Sequence, residues 1–404
     1  MPSCRICGGV VSELLDLGRQ PSANRFLARA DIAREFMFRL AIGMCHSCTM
    51  VQLIEDVPEE IRYHDGYRYR ASGSATHRRH FARVARELLA TELAGPNPFI
   101  VEIGCNDGVM LETIARAGVR HLGVDPAKEV TELARERGVN VLDAFFGDSV
   151  AEGIRAEHGS ADVIFGANTV CHIAYQDSLL RGVDTLLGPD GVFVFEEPYL
   201  GTVISQMAFD QIYDEHVYYF TARSVQQMAQ RYGFELVDVG RSPLHGGEIR
   251  YTLTRPGRRR PSPAVGELLA DERHRGLADP VTFQRFADAV AKIRDDLLTL
   301  LRDLRDRGST VVGYGAPGKT ATVTNYCGIG PELVPFVVDS TPAKQGLLVP
   351  GSHLPVRPPQ AFTTANPDYA LLFAWNHADE IMAKEQAFSR RGKWIRYVPD
   401  VRVG

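Results

Sequence analysis

Apolar and polar positions divide this chain into repeated strand–turn–helix blocks. "FIVEI", Phe99 to Ile103, has the length and branched content of a buried strand. Gly104 and Gly108 then permit a tight turn, and Leu111, Ile114 and Ala115 return at the spacing of one helix face. "HLGVD" is the next strand and ends at Asp125. Two further runs, Ala161 to Ile173 and Gly191 to Leu200, supply more strands. "FELVDVGRS" and "EIRYTLTR" close the block as a terminal pair joined through Pro243 to Gly247. Strands that alternate with helices and finish in a hairpin predict a doubly wound α/β sheet.

A second block of the same kind follows. "TRPGRRRPSP", Thr254 to Pro263, is rich in breakers and marks a boundary. From about Thr282 to Arg307, charged residues interleave with Ile, Leu and Val at helical spacing, which predicts one long amphipathic helix. "STVVGYGAPGKTATVTNYCG" then reads as strand, glycine loop and helix, and "LVPFVVDS", "YALLFAW" and "WIRYVPD" add strands. The expected organisation is α/β throughout. A small zinc-binding N-terminal domain occupies 1–75, a central Rossmann-like seven-stranded domain 76–254, and a second Rossmann-like α/β domain 255–404.

Composition changes this picture little. Apolar residues make up 45% and charged residues 24% of 404, an ordinary globular balance. A formal charge of −5 gives no basic field for nucleic acid, and a short linker accounts for the cluster Arg258 to Arg260. No apolar run is long enough to span a membrane, and "MPSCRICGG" has no signal-peptide core, so the expected compartment is the cytoplasm.

Four of the seven cysteines form two tight pairs: Cys4 and Cys7 in "CRIC", Cys45 and Cys48 in "CHSC". Each C-x-x-C can present two thiolates to one ion, and two such knuckles supply the four sulfurs that tetrahedral Zn²⁺ prefers. A closed four-cysteine site is structural, with no open position for chemistry. A thioredoxin-like redox pair is the rival reading, but neither pair has a strand–CxxC–helix context. His46, inside the second knuckle, is an alternative ligand. In the Tyr-rich stretch Tyr63 to Phe81, either Tyr67 or Tyr69 can sit at the rim of a neighbouring site, or the stretch is only a connection.

The turn "EIGCNDG" departs from the dinucleotide fingerprint G-x-G-x-x-G. Carboxylates repel a pyrophosphate, whereas Glu102 or Asp107 can accept bonds from an amino-acid ammonium group. Asp125, at the end of the second strand, is placed to hold a ribose diol. The pattern therefore favours S-adenosylmethionine over a dinucleotide, on a methyltransferase-type sheet, with Gly104 and Asn106 in the turn. Asn168 and His172 fall where the fourth strand ends, the place where open α/β sheets bind ligands.

"QIYDEHVYYFT", Gln211 to Thr221, follows the fifth strand closely enough to fold back over the same mouth. It offers an imidazole beside carboxylates and tyrosines, which suits proton abstraction near a methyl donor. The competing reading is a solvated loop, with Thr221 capping the next helix. In the C-terminal block Gly313, Gly315 and Gly318 do form G-x-G-x-x-G, followed by Lys319, Thr320 and, after the next strand, Asp339. A nicotinamide cofactor, a turn needed only for packing, and a cradle for a substrate diphosphate held by Lys319 and backbone amides all remain open there.

Taken in order, "CRIC…CHSC", "EIGCNDG", "ANTVCHI", "FEEPYLG", "FDQIYDEHVYYFTARSV", "HGGEIRYTL" and "GYGAPGKTATVTNY" span nearly the whole chain. In this ordered set the chain resembles the S-adenosylmethionine-dependent sugar C-methyltransferases of deoxysugar biosynthesis. These act on dTDP-linked 4-keto-6-deoxyhexoses in antibiotic pathways. The resemblance implies a base that removes the proton α to the C4 ketone, and attack of the enolate carbon on the methyl group. It implies His216 as base, Glu215 as its support, and Tyr213 and Tyr67 on the ketone and enolate. It further implies Lys319, Asn325 and His245 toward the sugar nucleotide, which lies between the last two domains. Methylation at C3 is expected, with C5 the alternative, in a monomer or weak homodimer. The rival functions are an NAD-dependent sugar oxidoreductase and a zinc-containing binding module without activity. Asp214 has no assigned role.

Overall fold

The computed structural model describes residues 2–62 and 69–404. Its strands form three sheets. The first begins with β1 (Val11–Pro21), β2 (Met37–Cys45) and β3 (Val51–Leu53), paired antiparallel in that order. Val11, Leu15 and Leu17 of β1 turn inward while the residues between them are more exposed, the alternation of a half-buried sheet.

The central sheet is built on β4 (Phe99–Ile103), β5 (Arg120–Val124), β6 (Val141–Leu142), β7 (Ala161–Ala167) and β8 (Leu187–Pro198), all parallel. β4 is buried along its whole length, as strands covered on both faces are. After β8 the chain leaves this sheet. β9 (Tyr218–Tyr219) pairs with β3 and becomes the fourth strand of the N-terminal sheet. The chain then returns through β10 (Glu235–Ser242) and β11 (Glu248–Thr254), which complete a seven-stranded sheet of order β10-β11-β8-β7-β4-β5-β6. The strand order reverses at β4, so a crevice opens at the carboxyl ends of β4 and β7.

The third sheet has the order β14-β13-β12-β15-β16-β17. Its strands are β12 (Val311–Tyr314), β13 (Val337–Val338), β14 (Val356–Arg357), β15 (Tyr369–Leu372), β16 (Lys393–Arg396) and β17 (Arg402–Val403). All but the last are parallel. The long helix runs Pro280–Asp306, with Asp279 accepting from the Val281 N–H as its cap. It buries Phe283, Phe286, Val290, Ile293, Leu297, Leu301 and Leu304 along one stripe, each contributing about 1.5–3 kcal/mol. That stripe meets both β1 and β12, so the N-terminal sheet packs on the C-terminal domain and one apolar core runs through all three units.

The domains are less sequential than their sequence blocks. β9 belongs to the N-terminal sheet although it lies after residue 200 in the chain. The helix Pro263–His274, beyond the breaker-rich linker, packs on β10 and on the helix Ala222–Arg231. Its buried Glu272 accepts from the Ala222 and Arg223 N–H groups and from the Tyr199 hydroxyl. A carboxylate thus satisfies the free amides at the start of that helix, where the dipole favours negative charge. No helix among the described residues is long and apolar enough to cross a membrane.

Asp214 is the clearest fastening between units. It is 1% exposed and accepts from the Ser22 hydroxyl (2.6 Å) and the Ala23 N–H (2.9 Å) of the N-terminal domain. Asp214→Ala strands both donors in the interior, and we expect a loss of about 2–3 kcal/mol. Urea unfolding of the zinc-loaded protein measures it; an unchanged midpoint would refute this role.

Candidate active site

The four cysteines of the two knuckles converge. Cys4 Sγ lies 3.6 Å from Cys48 Sγ, Cys7 Sγ lies 3.4 Å from Cys45 Sγ, and all four are within 4.8 Å of one another. Tetrahedral zinc with Zn–S bonds of about 2.3 Å requires sulfurs about 3.8 Å apart, so the set fits. Backbone N–H groups of Ile6 and Ser47 point at Cys4 Sγ and Cys45 Sγ, which supports thiolate charge. The Cys4 thiol is lowered to about 4, chiefly by the bond from Cys48 and against its burial. His46 turns away to the Ser12 hydroxyl at 2.6 Å and is not a ligand.

At the carboxyl end of β4, Gly104 adopts φ +69° and donates its N–H to the Val124 carbonyl. A Cβ there would lie 2.1 Å from Thr169 Oγ1, so only glycine fits. Glu102 beside it is buried, and its Oε2 has no partner. Burial, then Asp125 and Asp107, raise its pKa well above the usual range. An incoming ammonium relieves that cost, so Glu102 fits the amino-acid end of S-adenosylmethionine. Asp125 accepts from the Asn106 and Ala127 N–H groups at 3.0 and 2.9 Å and retains lone pairs for a ribose. Asn106 lines the same cleft. Its side chain binds the Ala71 N–H and the Tyr69 carbonyl, which ties the 69–71 segment over the turn. Asp107 likewise anchors Ser72 and Arg137.

These residues line a cleft of about 910 Å³ that also holds Asn168, His172, Tyr213, Glu215, His216, His245 and Lys319. His216 is fixed at both nitrogens. Nδ1 is 2.8 Å from the Gln211 carbonyl, which only accepts, so Nδ1 carries the proton. Nε2 is then the basic nitrogen, and it accepts from the Tyr213 hydroxyl at 2.8 Å. Burial lowers His216 to about 4, so the ring is neutral with a free-base Nε2 at neutral pH.

Glu215 does not support this ring directly. Its Oε1 accepts from Asn24 Nδ2 at 2.7 Å, and a backbone carbonyl takes the orienting position instead. Burial and then Asp214 raise Glu215 to about 8, so at neutral pH it is mostly a neutral acid able to donate. His172, expected at the cofactor, stacks on His216 with centroids 5.2 Å apart, and its buried Nε2 has no partner. The loop carrying it is held by Glu197 through the Thr169 and Cys171 N–H groups. Asn168 lines the cleft with a left-handed φ of 51°. Tyr67 lies outside the described residues.

On the facing wall Lys319 is buried and donates to Asn376 Oδ1 at 2.9 Å. Its Nζ sits 4.1 Å over the Trp375 ring and 3.9 Å from Asp210 Oδ2. Gly318 touches Asn24, where a Cβ would come within 2.8 Å of Oδ1. The fingerprint loop thus abuts the residue that holds Glu215. Asn325 does not reach the cleft: its amide donates to the Ala321 and Pro350 carbonyls, and the side chain packs under Gly351. Asp339 accepts from the Ala316 and Thr341 N–H groups, as Asp125 does from its own turn. The sequence reading missed Asn24, Asp210, His77, Asn376 and His377. Asp210 lies inside a quoted motif and His77 inside the Tyr63 to Phe81 stretch; the others carry no local signal.

Two outcomes test these sites. Zinc should bind at one equivalent per chain, and its removal by a chelator should unfold the N-terminal sheet with a cooperative loss of thermal stability. Gly104→Ala should weaken S-adenosylhomocysteine binding at least tenfold by calorimetry, through the collision with Thr169.

Residues 4–63 match the family model "Putative zinc binding domain", 75–239 "Methyltransferase domain" and 243–399 "C-methyltransferase C-terminal domain". The C-methyltransferase NovU of Streptomyces niveus is 35% identical, over 99% of this chain and 96% of the relative. A ubiquinone biosynthesis O-methyltransferase of Roseobacter denitrificans is 33% identical over 26% of this chain and 44% of that protein. Among solved structures, magnesium protoporphyrin IX methyltransferase of Synechocystis with bound S-adenosylmethionine is 13% identical and covers 44% of this chain and 79% of its own, at a TM-score of 0.34. That last likeness carries no argument. All three domains match in order, and the end-to-end relative is a C-methyltransferase: the chain belongs to the S-adenosylmethionine-dependent C-methyltransferase family, with structural zinc at Cys4, Cys7, Cys45 and Cys48.

Proposed function

We propose that the enzyme methylates C3, α to the C4 ketone, of a dTDP-linked 4-keto-6-deoxyhexose in deoxysugar and antibiotic biosynthesis. C5 is the alternative position. It acts in the cytoplasm as a monomer or weak homodimer. One observation carries the reading. The neutral Tyr213–His216 pair, joined at 2.8 Å, stands in a cleft between the Gly104 turn and Lys319. A base beside a phenol donor suits a ketone whose α proton is only weakly acidic.

Bound S-adenosylmethionine supplies an electrophilic methyl group, so the chain itself must generate and hold the carbon nucleophile. His216 Nε2 takes the α proton and becomes imidazolium, with Nδ1–H still on the Gln211 carbonyl. The C–H electron pair moves into the ring to form the enolate, with charge on the C4 oxygen. Taking that proton releases the Tyr213 O–H, which turns from Nε2 to the enolate oxygen. Burial holds the Tyr213 pKa well above its ordinary value, so the phenol keeps its proton to donate. A single donor of this kind contributes about 2.7–4 kcal/mol in a dry site. Neutral Glu215 offers a second donor. Lys319, in the region that matches the model "C-methyltransferase C-terminal domain", is suited to the substrate's diphosphate rather than to a nicotinamide.

Mass spectrometry with S-adenosylmethionine and a dTDP-4-keto-6-deoxyhexose should show a gain of one CH₂, and NMR should place the new methyl on carbon next to C4. A methyl on oxygen would end this proposal. His216→Asn should abolish α-deuterium exchange in D₂O while leaving S-adenosylhomocysteine binding intact. Tyr213→Phe should lower kcat about 10²–10³-fold. Unprotonated Nε2 is the active form and is populated above the folded pKa. Because burial puts that pKa near 4, kcat/KM should show no acidic limb near pH 6.5 and should fall only toward about pH 4.

A further inference from the structure

Three histidines from three separate elements meet on the wall of the cleft, and the proton-transfer step uses none of them. His77 comes from the helix Ala75–Ala90, His245 from the turn between β10 and β11, and His377 from the turn after β15. The His77 and His245 rings are 4.8 Å apart, and those of His77 and His377 are 5.9 Å apart. All three line the cleft together with Lys319. His245 is held at φ +48°, a left-handed conformation that non-glycine residues rarely adopt. Two contacts enforce it. Gln211 Nε2 donates to the His245 carbonyl at 2.7 Å, and Gly246 is so close to Trp375 that a Cβ would lie 2.6 Å from the ring. The same Trp375 carries Lys319 over its face.

We propose that His77, His245 and His377, with Lys319, form an anion subsite assembled across the two α/β domains, which receives the diphosphate of the substrate. This rests on the nucleotide-sugar reading above and adds a property to it: binding there is linked to proton uptake. Before substrate binds, the cluster is uncharged apart from Lys319. Burial lowers His77 to about 4, pushes His245 well below its ordinary value and lowers His377; neighbouring imidazoles add to this for His77 and His245, and Lys319 adds to it for His245 and His377. The surrounding charges are few. Asp210 is 3.9 Å from Lys319, and Glu380 favours the charged form of His377. Glu248 Oε1 is 4.0 Å from His245 Nε2, but burial raises the Glu248 pKa well above its ordinary value and so disfavours its charged form. His80 lies behind His77, and His216 beyond His245. Arg70 and Lys344 line the cleft further out. A dianionic diphosphate reverses the balance, since opposite charge favours each imidazolium. The imidazole pKa values rise on binding, so protons are taken up between the free and bound values. Affinity is therefore greatest at low pH and weakens as pH rises through the bound-state pKa.

Calorimetry of the zinc-loaded enzyme, saturated with S-adenosylhomocysteine, tests this with dTDP-glucose as probe. Its diphosphate is a diester and does not titrate in the working range. In buffers of different ionisation enthalpy we expect net proton uptake, and affinity about tenfold tighter near pH 6 than near pH 8. His77→Gln and His377→Gln should each flatten that dependence, and unchanged S-adenosylhomocysteine affinity shows the fold to be intact. If dTDP-glucose binds without proton uptake, or both variants keep the full pH dependence, the subsite is refuted and the nucleotide-sugar reading stands. If the probe does not bind at any pH while S-adenosylhomocysteine does, both fall.

Discussion

Everything at this site depends on how one buried segment, Asp210 to Thr221, is pinned from three sides. Asp210 accepts from Trp375 and Tyr397 of the C-terminal domain, each at 2.6 Å. Thr322 of that domain donates to the Ile212 carbonyl. Asp214 holds Ser22 and Ala23 of the N-terminal domain, and Tyr218 and Tyr219 complete that domain's sheet. Thr221 caps the helix that returns the chain to the central sheet, in a reciprocal pair with Ser224. Between these anchors the Gln211 carbonyl and the Tyr213 hydroxyl leave His216 one orientation. Polar groups this deeply buried cannot slide without losing partners, and each loss costs on the order of 1–3 kcal/mol. His216 is therefore positioned by the assembly of the domains rather than by its own loop.

That burial also sets the electrostatics. His216 and His172 are held neutral, Glu102 and Glu215 are pushed toward their protonated forms, and Tyr213 keeps its proton. The cationic methyl donor and the anionic substrate proposed above would enter a cleft that opposes neither strongly. Charge that develops on a substrate oxygen meets fixed dipoles in a dry setting, where each counts for more than in water. Zinc contributes at a distance. It closes the N-terminal knuckles, and the sheet they hold presents Ser22, Ala23 and Asn24 to the catalytic segment.

The two α/β domains are built on the same turn. In each, an acid at the end of a neighbouring strand caps the glycine loop, Asp125 for one and Asp339 for the other. In the central domain the glycine clears space beside Thr169. In the C-terminal domain Gly318 lets the loop approach Asn24 instead. Both loops line the cleft, and the C-terminal one also makes an interface with the N-terminal domain, a distinction the glycine pattern does not encode.

Much was legible in the chain because it rests on local spacing. The two C-x-x-C pairs, the period of the buried strands, the stripe of the long helix and the Thr221 cap are short-range patterns, and each appears as read. That the central block forms a doubly wound sheet closed by a hairpin followed from the alternation, whereas its strand order came from the packing. Contacts between residues far apart in the chain were not legible. Nothing near Glu215 says that its partner is Asn24, and nothing near His216 says that a backbone carbonyl rather than a carboxylate orients it. Asn325 was expected from the resemblance alone, yet its face of the helix packs on Pro350. Local periodicity decides which residues are buried. Only the tertiary packing decides which buried polar groups find one another, because those pairings are chosen by desolvation across elements that the sequence keeps apart.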